Sequence, residues 1–144
     1  GGTGNTVSLA LIMAFKCKSK RLKSLGKLSF LPGIFNVNEP VIFGLPLVLN
    51  PMMAIPFFIV PLVTVGISFA AMFFGLVPYP TGVTVPWTMP APFGGWMMCA
   101  DIRGGILQLI VLVIGGLIYY PFINALDQQY LKEESAEAQT ELKE

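Results

Sequence analysis

Apolar runs broken by a few short polar clusters set the pattern of this chain. Val7 to Phe15, Leu28 to Pro51, Met52 to Val77, Pro78 to Met98 and Gly104 to Ile123 are predominantly apolar. Charge gathers in Lys16 to Lys27, in Asp101-Ile102-Arg103 and in the tail from Asp127 to Glu144. From Pro40 to Ala100 there are 61 residues without one Lys, Arg, Asp or Glu. The loops and outer faces of a water-soluble domain must meet water, so such a run requires hydrocarbon as its solvent.

The pattern predicts an all-α integral membrane protein of transmembrane helices and Pro/Gly-broken re-entrant hairpins. Residues 1–15 read as the end of a truncated membrane helix, because Val7 to Phe15 is too short to span alone. Residues 16–27 read as a basic loop held in the cytoplasm by the positive-inside bias, or as a docking surface for anionic lipid or a partner. Residues 28–123 form the membrane-embedded part. Within it, 28–51 carries Pro32, Gly33, Pro40, Gly44, Pro46 and Pro51. Each interior proline removes a helical hydrogen bond at about 3 kcal/mol, and the freed backbone groups cannot face lipid. A re-entrant hairpin follows. Residues 52–77 cross outward, with Pro56 and Pro61 kinking the start. Residues 78–99, with five prolines and three glycines between Pro78 and Met98, form a second re-entrant or extended segment. Residues 104–123 form the clearest spanning helix, with Tyr119 and Tyr120 as an interfacial belt and Gly104, Gly105, Gly115 and Gly116 for close packing. Residues 124–144 form a cytoplasmic tail, polar and helix-favouring from Asp127 on, which reads as a solvated or frayed helix.

Composition narrows the chemistry. Hydrophobic residues make up 54% of the 144 residues, and the net charge of +1 hides a strong asymmetry. Six of nine basic residues lie in Lys16 to Lys27, and five of eight acids lie in Glu133 to Glu144. Cys17 and Cys99 have no metal spacing and read as free thiols. The absence of histidine removes the commonest general base and metal ligand, and rules out a phosphohistidine on this chain. No catalytic constellation, metal cluster, cofactor motif or nucleic-acid stripe is present. The abrupt Gly1-Gly2-Thr3-Gly4 opening reads as the start of a C-terminal piece of a longer protein.

Glu39, in Asn36-Val37-Asn38-Glu39-Pro40, is the outstanding site candidate. A carboxylate at the centre of a membrane helix costs roughly 2.5–3.5 kcal/mol on insertion scales unless paired or hydrated. An ionised carboxylate can accept from two adjacent sugar hydroxyls through strong charge-assisted bonds. The structural alternative is a carboxylate capping broken backbone. Asn36 and Asn38 add amide donors and acceptors, although Asn also favours turns. Trp87, between Pro86 and Thr88, offers a stacking face for the C–H side of a pyranose; Trp96, near the outer end, reads as an interfacial anchor. Asn5 and Thr6, after the glycine-rich opening, can present amide and hydroxyl groups to a substrate. That opening lacks the Gly-Lys-Ser/Thr ending of a phosphate loop.

The stretch Pro32-Gly33-Ile34-Phe35-Asn36-Val37-Asn38-Glu39-Pro40-Val41-Ile42-Phe43-Gly44-Leu45-Pro46, followed by Asn50-Pro51, resembles the signature of the membrane permease component (enzyme IIC) of bacterial phosphotransferase systems. The closest match is the lactose/cellobiose/N,N'-diacetylchitobiose family. The Gly-Gly-x-Gly-x-Thr opening, the basic loop, Val85-Pro86-Trp87-Thr88-x-Pro90, Asp101-x-Arg103-Gly104 and Leu117-Ile118-Tyr119-Tyr120-Pro121 extend the resemblance along the chain.

The resemblance implies a multi-pass permease of the bacterial inner membrane, homodimeric in its intact form, with its C-terminus in the cytoplasm. Its transport half moves a disaccharide by an elevator-like displacement. A phosphorylated partner, enzyme IIB, then phosphorylates the sugar, so the permease itself is not phosphorylated. Glu39 maps onto the acid that binds sugar hydroxyls, and Trp87 onto an aromatic that stacks on the ring. The chain corresponds to about the last third of a typical member; the dimer-forming half and the family's substrate-contacting His lie outside it. Two other classes stay open: an ion-coupled secondary transporter with Glu39 as proton relay, and a non-transporting assembly module.

Overall fold

The computed structural model describes residues 3–45, 47 and 49–141. Gly1, Gly2 and Pro46 of the sequence motifs, and the last three residues of the tail, lie outside the described residues. A short 3-10 turn (Thr3–Asn5) leads into six helices: α1 (Thr6–Phe15), α2 (Lys20–Ile34), α3 (Glu39–Gly44), α4 (Pro51–Phe73), α5 (Phe93–Cys99) and α6 (Ile102–Glu141). No strand occurs among the described residues, so the all-helical expectation stands.

Helices α1 and α2 form a tight antiparallel pair. They cross at Gly26, where a Cβ would collide with the backbone of Ala14 and sit 2.7 Å from Met13. The basic segment is therefore not a loop throughout. Only Lys16–Ser19 is non-helical, and Lys20 starts α2. Ser19 caps this helix, its hydroxyl accepting from Leu22 N–H at 3.4 Å. Two acids of α6 complete the cap. Asp127 accepts from the N–H groups of Lys18 (3.1 and 3.0 Å) and Ser19 (2.9 Å). Glu134 accepts from the Ser19 hydroxyl (2.6 Å) and Arg21 N–H (3.1 Å). A helix that opens Lys-Arg-Leu-Lys has no acid of its own to satisfy its first amides.

The same contacts refine the tail, which is helical as expected and docked over its first part. Helix α6 runs without a break through Pro121 to Glu141, and Leu126 and Asp127 are buried. Arg21 lies over the Tyr130 ring at 5.6 Å. The stretch after Ile123 is docked, at least to Glu134, because it neutralises the N-terminus of α2.

Helix α4 starts one residue earlier than expected and ends four earlier. Asn50 caps it, accepting from Met52 N–H at 3.0 Å, with Pro51 at a position that needs no N–H. At its end Gly75 adopts φ +71°, Gly75 N–H bonds Met72 O (3.0 Å) and Leu76 N–H bonds Ala71 O (2.9 Å). This is a Schellman stop. Pro78 to Pro92 is then largely extended, folding back so that Thr81 N–H and Oγ1 donate to Met98 O (2.9 and 3.2 Å).

By length and composition α4 and α6 can each cross a membrane, and only 17% and 22% of their apolar windows are buried within the chain. Phe58, Leu62, Val65, Phe69 and Phe73 of α4 are all exposed on one stripe, as are Ile106, Leu109, Val113 and Leu117 of α6. The core of a water-soluble protein would hide such stripes. The glycines of α6 serve close packing: Gly104 meets Gly95 of α5, Gly105 would place a Cβ 3.0 Å from Pro92 O, and Gly115 lies under Asn5. Tyr119 departs from the interfacial expectation. It is fully buried and donates to Gly4 O at 2.6 Å, while Tyr120 is exposed.

Candidate functional site

The site candidates lie where two breaks in helical structure meet. The first break separates α2 from α3. Asn36 takes φ +64°, Asn36 N–H bonds Gly33 O (3.0 Å) and Val37 N–H bonds Pro32 O (3.1 Å). Asn tolerates the left-handed region better than other side chains, so Asn36 ends α2 as glycine ends α4. Its side chain is not spent on the turn. Asn36 Nδ2 donates to Trp87 O (2.6 Å) and Met89 O (3.0 Å), pinning the proline-rich segment to the end of α2.

The second break precedes α1. Gly4 and Asn5 are both left-handed (φ +71° and +56°). Asn5 Nδ2 donates to Val111 O at 3.1 Å and lies within 3.5 Å of Leu112 O. Ser8 Oγ donates to Leu112 O at 2.7 Å. Thr6 Oγ1 donates to Asn38 Oδ1 at 2.8 Å, and both residues are buried. Asn5, Thr6 and Asn38 thus have intramolecular partners, and they lock the start of α1 to α6 and to the α2–α3 break.

Glu39 opens α3 and is exposed. Asn36 and Asn38, both just before it, are fixed by the contacts above, so the carboxylate follows an anchored turn. Trp87 is 71% exposed on the segment that Asn36 holds.

A cavity of about 350 Å³ opens between α4, α5, α6 and that segment. Asn36 and Trp87 line it, together with Ser68, Met89, Gly95 and Gln108. Glu39, Asn38, Asn5 and Thr6 are not in its wall. Asn5 lines a smaller neighbouring cavity of about 240 Å³ with Thr64 and Gln108. Gln108 therefore belongs to both. It was not singled out in the sequence, although it is the sole polar residue other than tyrosine between Arg103 and Asn124. Ser68 was likewise hidden inside an apolar run; its hydroxyl donates to Thr64 O at 2.8 Å.

Known proteins resemble the chain along nearly all of its length. The family model "Phosphotransferase system, EIIC" matches residues 1–61. The lichenan permease IIC component of Bacillus subtilis (strain 168) is 46% identical over 94% of this chain and 30% of its own length. The cellobiose-specific EIIC component of the Geobacillus stearothermophilus phosphotransferase system is 50% identical over 95% of this chain and 31% of its own. The crystal structure of the transporter ChbC, the IIC component from the N,N'-diacetylchitobiose-specific phosphotransferase system, superposes with a TM-score of 0.90 at 45% identity. It is matched over 93% of this chain and 31% of that one. The chain thus spans about a third of the length of these relatives.

Proposed function

Since this chain belongs to the EIIC family of phosphotransferase system membrane permeases, we propose that it supplies part of the sugar-translocating site of such a permease. Its cargo is a disaccharide of the cellobiose, diacetylchitobiose or lactose type. Glu39 accepts hydroxyl hydrogen bonds from the sugar, Trp87 stacks on a ring, and the Asn36-to-Asn38 turn fixes both. Asn5 and Thr6 support that turn. The phosphoryl group comes from a phosphorylated EIIB partner. The protein works as a homodimer in the bacterial inner membrane, with several spans, two hairpin-like re-entrant breaks around residues 28–51 and 78–99, and a cytoplasmic C-terminus.

One observation carries this reading: the side chain of Asn36 ties the Asn-Glu-Pro turn to the backbone of Trp87 and Met89, at 2.6 and 3.0 Å. Two segments far apart in sequence, one with a carboxylate and one with an indole, are held together beside a cavity. A sugar requires this pairing, since its hydroxyl edges need charged or polar acceptors and its C–H faces need an apolar platform.

The test is equilibrium binding of cellobiose, N,N'-diacetylchitobiose and lactose to the purified full-length protein, beside Glu39→Gln. The variant keeps the size and loses the charge, so affinity should fall about ten- to a hundredfold, or roughly 1–3 kcal/mol. Wild-type affinity in Glu39→Gln would remove the carboxylate from the site. Uptake that a protonophore abolishes, with unmodified sugar as product, would instead favour proton relay at Glu39.

A further inference from the structure

Gln108 sits nearly two turns into α6, and its two amide atoms have different surroundings. The oxygen accepts from Gly95 N–H at 2.7 Å. That bond settles which end of the amide points where, because a backbone N–H needs an acceptor. The nitrogen is left as a donor at the wall of the 350 Å³ cavity, and it makes no hydrogen bond among the described residues.

Asn36 lines the same cavity and fixes its edge: its amide nitrogen donates to Trp87 O and Met89 O, which holds the backbone that carries the Trp87 ring. The cavity therefore offers a free donor and the Trp87 ring between apolar side chains such as Met72 and Leu107. At about 350 Å³ it lies near the lower end of ligand cavities, which run from about 300 to 1,000 Å³. That suits one ring of a larger sugar.

We propose that Gln108 is a sugar-contacting, specificity-determining residue: its Nε2 donates to an oxygen of the ring held between α4 and α6. The inference rests on the sugar-permease reading and assigns it a subsite apart from Glu39. Gly95 holds the amide in the one orientation that presents the donor. A hydroxyl or an acetamido carbonyl on the ring can accept that bond, and the two differ in reach. Gln108 thereby discriminates between rings with different substituents.

Gln108→Glu separates this role from a structural one. A glutamate still accepts from Gly95 N–H, but it presents an acceptor where the donor was. In the full-length protein, binding of both cellobiose and N,N'-diacetylchitobiose is measured beside the thermal midpoint of the detergent-solubilised sample. We expect at least a tenfold loss of affinity in Gln108→Glu with the midpoint unchanged. Wild-type affinity for both sugars in that variant would overturn the proposal.

Should Gln108→Glu fail to fold, Gln108→Met decides, being neutral and of similar length. A changed ratio of the two affinities supports a contact to one substituent; unchanged affinities, or an equal loss for both sugars, overturn it. Glu39→Gln run in parallel keeps the two readings apart. Sugar binding that is lost in Glu39→Gln and retained in Gln108→Glu sinks this inference alone. No sugar binding in the wild type sinks both.

Discussion

At the scale of single residues, the asparagines and Thr6 divide between holding and presenting. Asn38 and Thr6 are buried and bonded to each other, so they fix the Asn-Glu-Pro turn from behind. Asn36 does two things at once: its backbone closes α2 in the left-handed region and its side chain grips the Trp87 segment. Trp87 itself is mostly exposed, with its backbone held and its ring free. Replacing it with Ala should therefore leave the fold and its melting midpoint nearly unchanged while sugar affinity falls, since apolar area buried between the indole and the C–H face of a sugar contributes about 25 cal/mol per Å². Unchanged affinity in the full-length Trp87→Ala protein would make the indole an interfacial anchor. Asn36 and Trp87 stand out in the sequence by residue type and neighbourhood, but their mutual contact spans 51 positions and no local pattern announces it.

At the scale of elements, the informative case is the N-terminus of α2. The sequence gives four basic residues at its start and within it, and a helix N-terminus carries a partial positive charge of its own. Asp127 and Glu134, seven residues apart on one face of α6, answer that charge from more than a hundred positions away. The Ser19 hydroxyl and the amides of Arg21 and Lys20 hold the Glu134 carboxyl below its ordinary value. A lowered folded-state value means that its contribution is present above the unfolded value and lost as pH falls through the folded one. Acidification should thus loosen the end of α6 from α2 in wild type, and Glu134→Gln should remove that pH dependence; hydrogen exchange at Lys20 and Arg21 would read it. Asp127→Ala strips the acceptor from the Lys18 and Ser19 amides, and should destabilise the α1–α2 pair by roughly 1–3 kcal/mol. The docking of this stretch is not legible in the sequence, because polarity along a helix says nothing about which distant helix end needs it.

At the scale of the whole molecule, the same contact bears on the proposed sidedness. The turn between α1 and α2 and the distal half of α6 touch, so the proposed topology puts them on one side of the bilayer. The excess of Lys and Arg in 16–27 favours the cytoplasm. Cysteines introduced at Lys23 and Ala138, both exposed, should therefore react with a membrane-impermeant maleimide in inside-out vesicles and not in intact cells, whereas one at Thr84 should show the opposite. The native thiols provide a quiet background: Cys17 and Cys99 are buried, and burial, aided by Asp127, pushes the Cys17 thiol up to about 12. Labelling of Lys23 and Ala138 variants from opposite sides would contradict the shared location.

The sequence by itself determined the solvent, the helical class, the breaks and the family, because each is written locally: an uncharged run that only hydrocarbon tolerates, prolines that interrupt it, and a contiguous Asn-Glu-Pro signature. It also marked Gly104 and Gly115 for close packing, since small side chains have few other uses on a spanning helix. Only the tertiary structure decided that Tyr119 is core and Tyr120 is surface, that Asp127 and Glu134 cap α2, and that Gln108 faces the cavity of Asn36 and Trp87. Those outcomes depend on which face of one helix meets which end of another. A lipid-facing sequence cannot encode that through polarity, because in hydrocarbon its buried and exposed apolar faces look alike.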